Sequence, residues 1–578
     1  MTKRHGVILL IFAWLILIPG LSAVIVQAAE SGPQDRLSLA GSILNTEGGG
    51  VKEADVEVLV NGRHVKPEGK NPSIVTGSQG GFLAQFHLPA GDLTGARVEV
   101  KVKKPNWREL PPAPVMVLPG GQDQAGNNLF QAQAHLTLHR SVTPAFWIAT
   151  LVLVLVYALI AFELMHRTLA AFLGAAAIMF ISYVVGTFNP GYFVLSFEDA
   201  MQAIDMNVIF LLMGMMIIVG VLKKTGLFQW LAYQSFAMAR GNIFILAGIL
   251  MVVTAVASAF LDNVTTMLLM IPVTIEIAVA LKLNPIALLI PEVFASNVGG
   301  TATLIGDPPN ILIGSYANLS FGAFLHNLTL VVVIGMVFTV AFYIFWYRRA
   351  YKAAEVKDVE RTTAYMKQEY RITDKVLLIK CLVMLGFTIL LFILHGVFHM
   401  EPSIAALTGA MLLLAFSGVD IVEMLEHEVE WPTLIFFIGL FMVIAGAEET
   451  GLIQMIANWV KDLSGGNLTT AIILVLWVSA IASAFIDNIP FTATMLPIIA
   501  FLNQTIPGAE SGVLWWSLAL GACLGGNGTM IGASANVVTV GLAEKAGYHI
   551  SFITYMKACW WPMMITVTIS MVYLLIAY

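Results

Sequence analysis

The sequence predicts a polytopic α-helical membrane protein preceded by a small exported β-sandwich, and three observations carry that expectation. Of 578 residues, 58% are hydrophobic and 11% charged, against roughly 25% charged in an ordinary soluble chain. From residue 144 onward, apolar runs recur near the ~20 residues that a helix needs to cross a bilayer. Within that region, motifs repeat 225 or 226 residues apart. A formal net charge of −6 with 30 Lys and Arg gives no support to a nucleic-acid partner. Three scattered cysteines, Cys381, Cys523 and Cys559, are too few for a disulfide framework or a zinc site.

Residues 1–29 open with Lys3 and Arg4 ahead of an apolar run and close on Val26-Gln27-Ala28. That order reads as a signal peptide, with an uncleaved signal anchor as the alternative, and both export the segment from residue 30. Residues 30–143 hold 11 Lys and Arg and no long apolar run. Leu37–Ile43, Asp55–Val60, Gly81–Leu88 and Ala96–Val102 alternate between apolar and polar residues. Gly- and Pro-rich turns separate them, the pattern of a small antiparallel β-sandwich. The run from Leu39-Ala-Gly to Leu88-Pro-Ala-Gly91 resembles carboxypeptidase-regulatory-like or Ig-like modules. A structural cap or docking role is expected of it.

Spans are expected at 145–164, 169–187, 207–222, 326–346, 376–395, 403–418, 432–447 and 555–577. Four further apolar stretches, 242–281, 285–317, 468–502 and 513–544, are interrupted by polar or Gly/Pro motifs. Residues 347–375, rich in both signs, read as a soluble cytoplasmic linker between repeat 1 (144–346) and repeat 2 (376–578). With the residue 144 end outside, sixteen of the seventeen Lys and Arg of this region fall on the cytoplasmic side. Such a bias satisfies the positive-inside rule and places the β-module and the C-terminus outside a bacterial-type inner membrane.

The repeat is the strongest signal. Ile209–Leu227 recurs as Leu434–Leu452, with Lys223-Lys224 of the first copy replaced by Glu448-Glu449 in the second. Ser258-Ala-Phe-Leu-Asp-Asn263 pairs with Ser483-Ala-Phe-Ile-Asp-Asn488, and Gly299–Asn310 pairs with Gly525–Asn536. The span count makes the two copies cross in opposite directions. Inverted repeats with interrupted apolar segments at matching places point to a secondary transporter with its site at the interruptions.

The chemistry arises from unpaired backbone. A helix broken inside a bilayer frees amides and carbonyls at several kcal/mol each, so breaks persist where they bind a ligand or line a cavity. Asp307-Pro308-Pro309 forces one break, and Gly299, Gly300, Gly306 and Gly532 let the backbone bend. Freed carbonyls, with Thr301, Thr303, Asn297, Asn527 and Thr529 around them, offer oxygen ligands to a cation. Asn310 and Asn536 are expected to cap the resumed helices. Asp262-Asn263, with Thr265 and Thr266, and Asp487-Asn488, with Thr492, fall mid-way through their stretches, which form either two spans each or a re-entrant hairpin. A carboxylate at that depth costs roughly 2.5–3.5 kcal/mol, which makes ligation or proton exchange the expected role, although plain capping of the second arm is the simpler alternative. Glu292, a coupling candidate, and Asp307 have Leu518 and Ala533 at the matched positions. No Lys or Arg falls inside the motif segments, so a fixed cationic receptor for an anion is not expected. The site should take H⁺ or Na⁺ transiently, with no structural metal and no cofactor.

At these motifs the chain resembles the ion transporter superfamily, in its arsenite permease, NhaD-type antiporter and melanosomal P protein branch, and more distantly the citrate and sodium–dicarboxylate permeases. The resemblance spans about residues 150–578. It implies re-entrant hairpins at 242–281 and 468–502, broken helices at 285–317 and 513–544, and a homodimer with scaffold and moving parts. Asn263, Thr266 and Asn488 correspond to the Ser-Asn-Thr tips of the dicarboxylate carriers, whereas Asp262 and Asp487 stand where those carriers have Ser. Residues 527–536 depart from the Gly-x-Pro-Pro-Asn form, and the exported module is not general in the family.

The expected function is a cation-coupled transporter of an ion or oxyanion by alternating access, not an enzyme. One alternative is an Na⁺-coupled citrate or dicarboxylate symporter, and another is an ion channel on the same fold. An intramembrane aspartyl protease is remote, because Leu304 replaces the first Gly of a Gly-x-Gly-Asp signature before Asp307.

Overall fold

The computed structural model describes residues 34–578 apart from 47, 69–72, 124–125 and 355–358. The signal segment expected at 1–29 lies outside the described residues. Two compact units divide the chain at Ser141/Val142.

The first unit is a two-sheet sandwich. One sheet holds β5 (Gly81–Pro89), β1 (Gln34–Asn45), β9 (Asn128–Leu138) and β8 (Val117–Gln122) in that order. The other holds β3 (Arg63–Val65), β2 (Asp55–Val60), β6 (Val98–Lys103) and β7 (Ala113–Val115), with β4 (Ile74–Val75) beside β2. Period-two alternation puts one side of the longer strands β2, β5 and β6 inward. Val56, Val58 and Val60 lie opposite Val102, Val100 and Val98 and are buried with Leu37, Leu39 and Phe86 of the facing sheet. Buried Asp35 is satisfied: Gly91 N and Leu93 N donate to one carboxylate oxygen at 2.9 and 3.1 Å, and Asn128 Nδ2 donates to the other at 2.8 Å. The first sheet is mixed and not purely antiparallel as expected, because β1 pairs with β9 in parallel, whereas the second is antiparallel throughout. That pairing joins strands some 93 residues apart, and local alternation does not reveal their direction.

The second unit is helical. Its first half runs α1 (Pro144–Ala161), α2 (Arg167–Phe180), α3 (Phe197–Gln202), α4 (Met206–Lys223), α5 (Leu227–Ala239), α6 (Ile243–Phe260), α7 (Asn263–Ala280), α8 (Ile286–Gly300), α9 (Pro308–Tyr316) and α10 (Phe321–Trp346). Two short helices, α11 (Arg348–Ala353) and α12 (Val359–Glu369), make the connection. The second half runs α13 (Lys375–Phe398), α14 (Pro402–Ser417), α15 (Ile421–His427), α16 (Trp431–Glu449), α17 (Leu452–Ser464), α18 (Leu468–Phe485), α19 (Asn488–Thr505), α20 (Val513–Gly525), α21 (Ser534–Lys545) and α22 (Phe552–Ala577).

Each element of the first half has a counterpart in the second, down to Pro272 and Pro497 at the same place in α7 and α19. Among the described residues, ten helices are long and apolar enough to cross a membrane, as a polytopic membrane protein requires. α1 and α13 expose Leu151, Val154, Val376, Ile379 and Val383, the apolar faces that lipid covers, whereas α4 is 72% buried. The short helices α5 and α17 are additions to the expected spans. Each starts at a glycine in the left-handed region, Gly226 at φ +76° and Gly451 at φ +91°, where a side chain would be strained.

The halves interlock by exchange. α2 packs on α16 and α14 on α4, while α7 packs on α21 and α19 on α9. The tip of each helix pair therefore lies between the break of its own half and that of the opposite half. Lys223, closing α4, pairs at 3.0 Å with Glu428, just ahead of α16.

Candidate functional site

Both helix pairs turn through two residues, Leu261-Asp262 or Ile486-Asp487, and resume at once. The carboxylates at the turns cap the second arms. Asp262 Oδ1 accepts from Thr265 N at 2.9 Å, and Thr265 Oγ1 donates to Asp262 Oδ2 at 2.5 Å. Asp487 Oδ1 accepts from Ile489 N at 3.0 Å, and its Oδ2 accepts from Ser534 Oγ at 3.0 Å. Asp262 and Asp487 are half-buried. Their chain neighbours Asn263 and Asn488 are buried and reach inward. Asn263 Nδ2 donates to Asn297 Oδ1 at 3.0 Å. Asn488 Nδ2 faces the Asp307 carboxylate at 3.3 and 3.5 Å, and its backbone N donates to Gly532 O at 3.2 Å.

The breaks fall between α8 and α9 and between α20 and α21. Asn310 and Asn536 do not cap the resumed helices. Their amides donate backward to carbonyls that the breaks release: Asn310 to Thr301 O and Thr303 O at 3.0 and 2.8 Å, Asn536 to Gly526 O and Thr529 O at 2.8 and 2.9 Å. The exposed need at a broken helix C-terminus is for donors, which a side-chain amide supplies. Thr303 and Thr529 donate in the same way to Ala259 O and Ala484 O across the helix pairs. Thr301 Oγ1 donates to Asn297 O at 2.8 Å, and Pro308 opens α9. Gly300 and Gly306 face each other so closely that a Cβ on Gly300 would lie 2.5 Å from Gly306 O.

Two contacts cross between halves at equivalent places. Asn297 Nδ2 donates to Asn536 Oδ1 at 2.9 Å and to Asn527 Oδ1 at 3.0 Å. Cys523, at the repeat position of Asn297, donates its thiol to Asn310 Oδ1 at 3.5 Å. Asp307 is fully buried, and Asp487 and Asp262 are the charges close enough to act on it. Its counterpart is Ala533, so one of the two mirror places is acidic and the other neutral. Thr266 Oγ1, Thr492 Oγ1 and Asn527 Nδ2 are buried beside these groups without a hydrogen-bond partner, which leaves polar atoms free to meet an ion or solute. Glu292 is buried farther along α8, accepting from Thr254 Oγ1 at 2.8 Å. Among the described residues, no group of three or more His, Cys, Asp and Glu side chains could hold a metal.

The expectation that no fixed cation serves this region is corrected by Arg167. From the start of α2 it donates to Ser534 Oγ at 2.6 Å and Thr433 Oγ1 at 2.9 Å, and lies 3.7 Å from Asp487. Thr433 in turn donates to Glu430 at 3.1 Å. A cavity of about 490 Å³ is lined by Arg167, His166, Glu163, Glu430, Asp487 and Ser534 among apolar residues that include Val264 and Val537. Arg167, Cys523 and Ser534 are the residues that motif reading misses. Cys523 is recoverable from the repeat register, whereas Arg167 lies outside every motif.

The citrate transporter family model matches residues 157–521. An uncharacterized transporter of Mycobacterium tuberculosis is 40% identical over 433 residues, 75% of this chain and 98% of its own length. A 46 kDa membrane protein of Mycobacterium leprae is 40% identical over 434 residues, covering 75% of this chain and 98% of its own. The human P protein is 36% identical over 520 residues, 77% of this chain and 61% of its own length. A solved 3-chlorocatechol 1,2-dioxygenase from Rhodococcus opacus covers 20% of this chain and 63% of its own at 13% identity and TM-score 0.15, too slight to bear on the fold.

Proposed function

The chain belongs to the citrate transporter family, and from that premise we propose a cation-coupled secondary transporter that works by alternating access. The observation that carries this reading is the exchange of partners between halves, in which Asn488 of one tip meets Asp307 of the opposite break. The Lys223–Glu428 pair brings the end of α4 to the beginning of α16, in support of halves that run in opposite senses. In this reading α6–α7 and α18–α19 are re-entrant hairpins entering from opposite faces of a bacterial plasma membrane. The charge bias puts the β-sandwich and the C-terminus outside.

The coupling ion is assigned to Asp307. Hard cations take carboxylate and amide oxygens, so Asp307, Asn310 and an Asn488 amide turned to present its oxygen in place of its N–H would hold Na⁺, and the Asp307 carboxylate by itself would suffice for H⁺. An uncompensated carboxylate at this depth costs roughly 2.5–3.5 kcal/mol. Occupancy offsets that cost, so the moving part crosses readily when loaded and slowly when empty. A second reading rests on Arg167: the cavity beside it would hold the carboxylate of a citrate-like anion against the guanidinium and Ser534.

Purified protein in liposomes tests the first reading. An imposed Na⁺ or pH gradient should drive flux of the coupled solute in a panel of cations and carboxylic acids. Asp307→Asn should abolish the response to the gradient, and undiminished coupled flux in that variant would remove the assignment. Ohmic, uncoupled current in the wild type would show a channel instead.

A further inference from the structure

We propose that Glu292 is a separate proton-binding site, joined to the first break by a column of hydroxyls. The proposal deepens the transport reading and rests on it for its role in coupling. Glu292 is fully buried on α8. Thr254 Oγ1 of α6 donates to its Oε1 at 2.8 Å, while its Oε2 has no partner. The hydroxyl oxygen of Thr274, on α7 beside the carboxyl, has no partner either. A proton bound to Oε2 and donated to Thr274 Oγ1 satisfies both orphaned atoms at once, and only an O–H bond forms. A metal ion would need more oxygens than this pocket supplies.

Further hydroxyls stand between the carboxyl and the break. Thr254 and Ser258 stand one turn apart on α6, facing Glu292, Ser296 and Gly300 at one-turn spacing on α8. Ser296 Oγ donates to Ser258 Oγ at 3.1 Å. A Cβ on Gly300 would lie 3.1 Å from Ser258 Oγ and 2.5 Å from Gly306 O, so the column ends on the broken backbone. At about 5.4 Å per turn, two turns separate the carboxyl from the break.

The second half has the same packing without the chemistry. Ser479 and Ser483 match Thr254 and Ser258, but Leu518, Ala522 and Gly526 match Glu292, Ser296 and Gly300. Ser483 donates to Ala522 O at 2.6 Å. Leucine therefore fills this position in an equivalent helix pair, and packing alone does not call for an acid. A carboxyl kept in an apolar interior is a functional group by default.

The other titratable groups on packed elements are remote from it in effect. α6 carries none. Glu276 on α7 is bonded to Tyr370, and Asp262 precedes that helix. Tyr343 on α10 bonds Cys559 at 3.4 Å, and Cys523 serves the Asn310 contact. α21 has none before Glu544 at its far end, and Tyr555 accompanies Cys559 on α22. The groups that act on Glu292 are Thr254 and Thr274.

The test uses Glu292→Gln in the full chain. Glutamine reproduces the neutral acid, accepting from Thr254 and donating to Thr274, so the variant should fold with little change in Tm. Two readouts are taken: the protonated-carboxyl C=O band in acid-minus-alkaline infrared spectra of detergent-purified protein, and H⁺ entry into liposomes under an imposed potential. The expected result is loss of one component of the band and a fall in H⁺ flux of about tenfold or more. Protonated-carboxyl intensity that is unchanged in Glu292→Gln overturns the proposal, and Asp307→Asn identifies the component that Asp307 contributes. A wild type that moves no H⁺ or Na⁺, yet loses a band component with Glu292→Gln, sinks the transport reading and leaves the proton site standing.

Discussion

Asn297→Ala is the substitution that most directly loads the junction between the halves. Asn297 is fully buried and makes three side-chain hydrogen bonds, accepting from Asn263 and donating to Asn527 and Asn536 at 2.9–3.0 Å. Truncation strands one donor and two acceptors. Each stranded buried group costs about 1–3 kcal/mol. Asn536 keeps its donations to Gly526 O and Thr529 O, and the vacated amide volume admits a water with three polar partners. Those two effects bring the expected total to about 2–4 kcal/mol. Asn297→Asp should be worse than alanine, because it turns a donor that faces two amide oxygens into an acceptor. The assay is apparent Tm of detergent-purified protein beside liposome flux. Alanine should lower Tm by several degrees and aspartate by more, with flux lost in both. Wild-type Tm and flux in Asn297→Ala would refute the claim that this side chain ties the halves together.

Other substitutions probe neighbouring features. Arg167 and Asp487 are 25% and 14% exposed and 3.7 Å apart, so solvent reduces the value of the pair to about 1 kcal/mol, and Arg167→Gln should fold. Citrate should raise the Tm of the wild type and leave Arg167→Gln unmoved; equal shifts in both proteins would remove the anion reading. A Cβ on Gly299 would lie 2.2 Å from Ala255 O, and one on Gly525 2.4 Å from Ala480 O. Alanine at either position must push helices apart and should cost about 1–3 kcal/mol. Gly541 has open space around it, and Gly541→Ala should hold or raise Tm, as melting curves of the three variants would show. Cys523→Asn places in the second half the residue that the first half carries as Asn297, and should keep Tm within a few degrees. Cys523→Leu should lower Tm clearly, and equal stability of the two would show that the thiol contact to Asn310 is incidental.

Much of the fold is legible in the sequence because the breaks are written in Gly, Pro and Asp-Asn motifs. The interrupted stretches expected at 242–281 and 468–502 match Ile243–Ala280 and Leu468–Thr505 closely. The partition of roles within Asp-Asn is not legible. Adjacent residues at a helix start point in different directions, and only coordinates show that Asp262 and Asp487 cap while Asn263 and Asn488 face the breaks. The direction of Asn310 and Asn536 departs from expectation for a related reason: an amide both donates and accepts, and the local pattern does not say which backbone groups lie near it. Arg167 reaches Ser534 across 367 positions, a contact created by the exchange of elements between halves and by no local pattern. The helices α5 and α17 carry no long apolar run, and span-length reading passes over them.

The central claim is that Asp307, offered by one break and met by the opposite tip at Asn488, is where the coupling ion binds. The most direct measurement is Na⁺ and H⁺ binding to purified wild-type, Asp307→Asn and Ala533→Asp proteins by calorimetry across pH. The account predicts that the wild type binds one of these cations at Asp307, that Asp307→Asn removes that event while proton uptake at Glu292 stays, and that Ala533→Asp adds a further event at the mirror place. Binding that is unchanged in Asp307→Asn would contradict it.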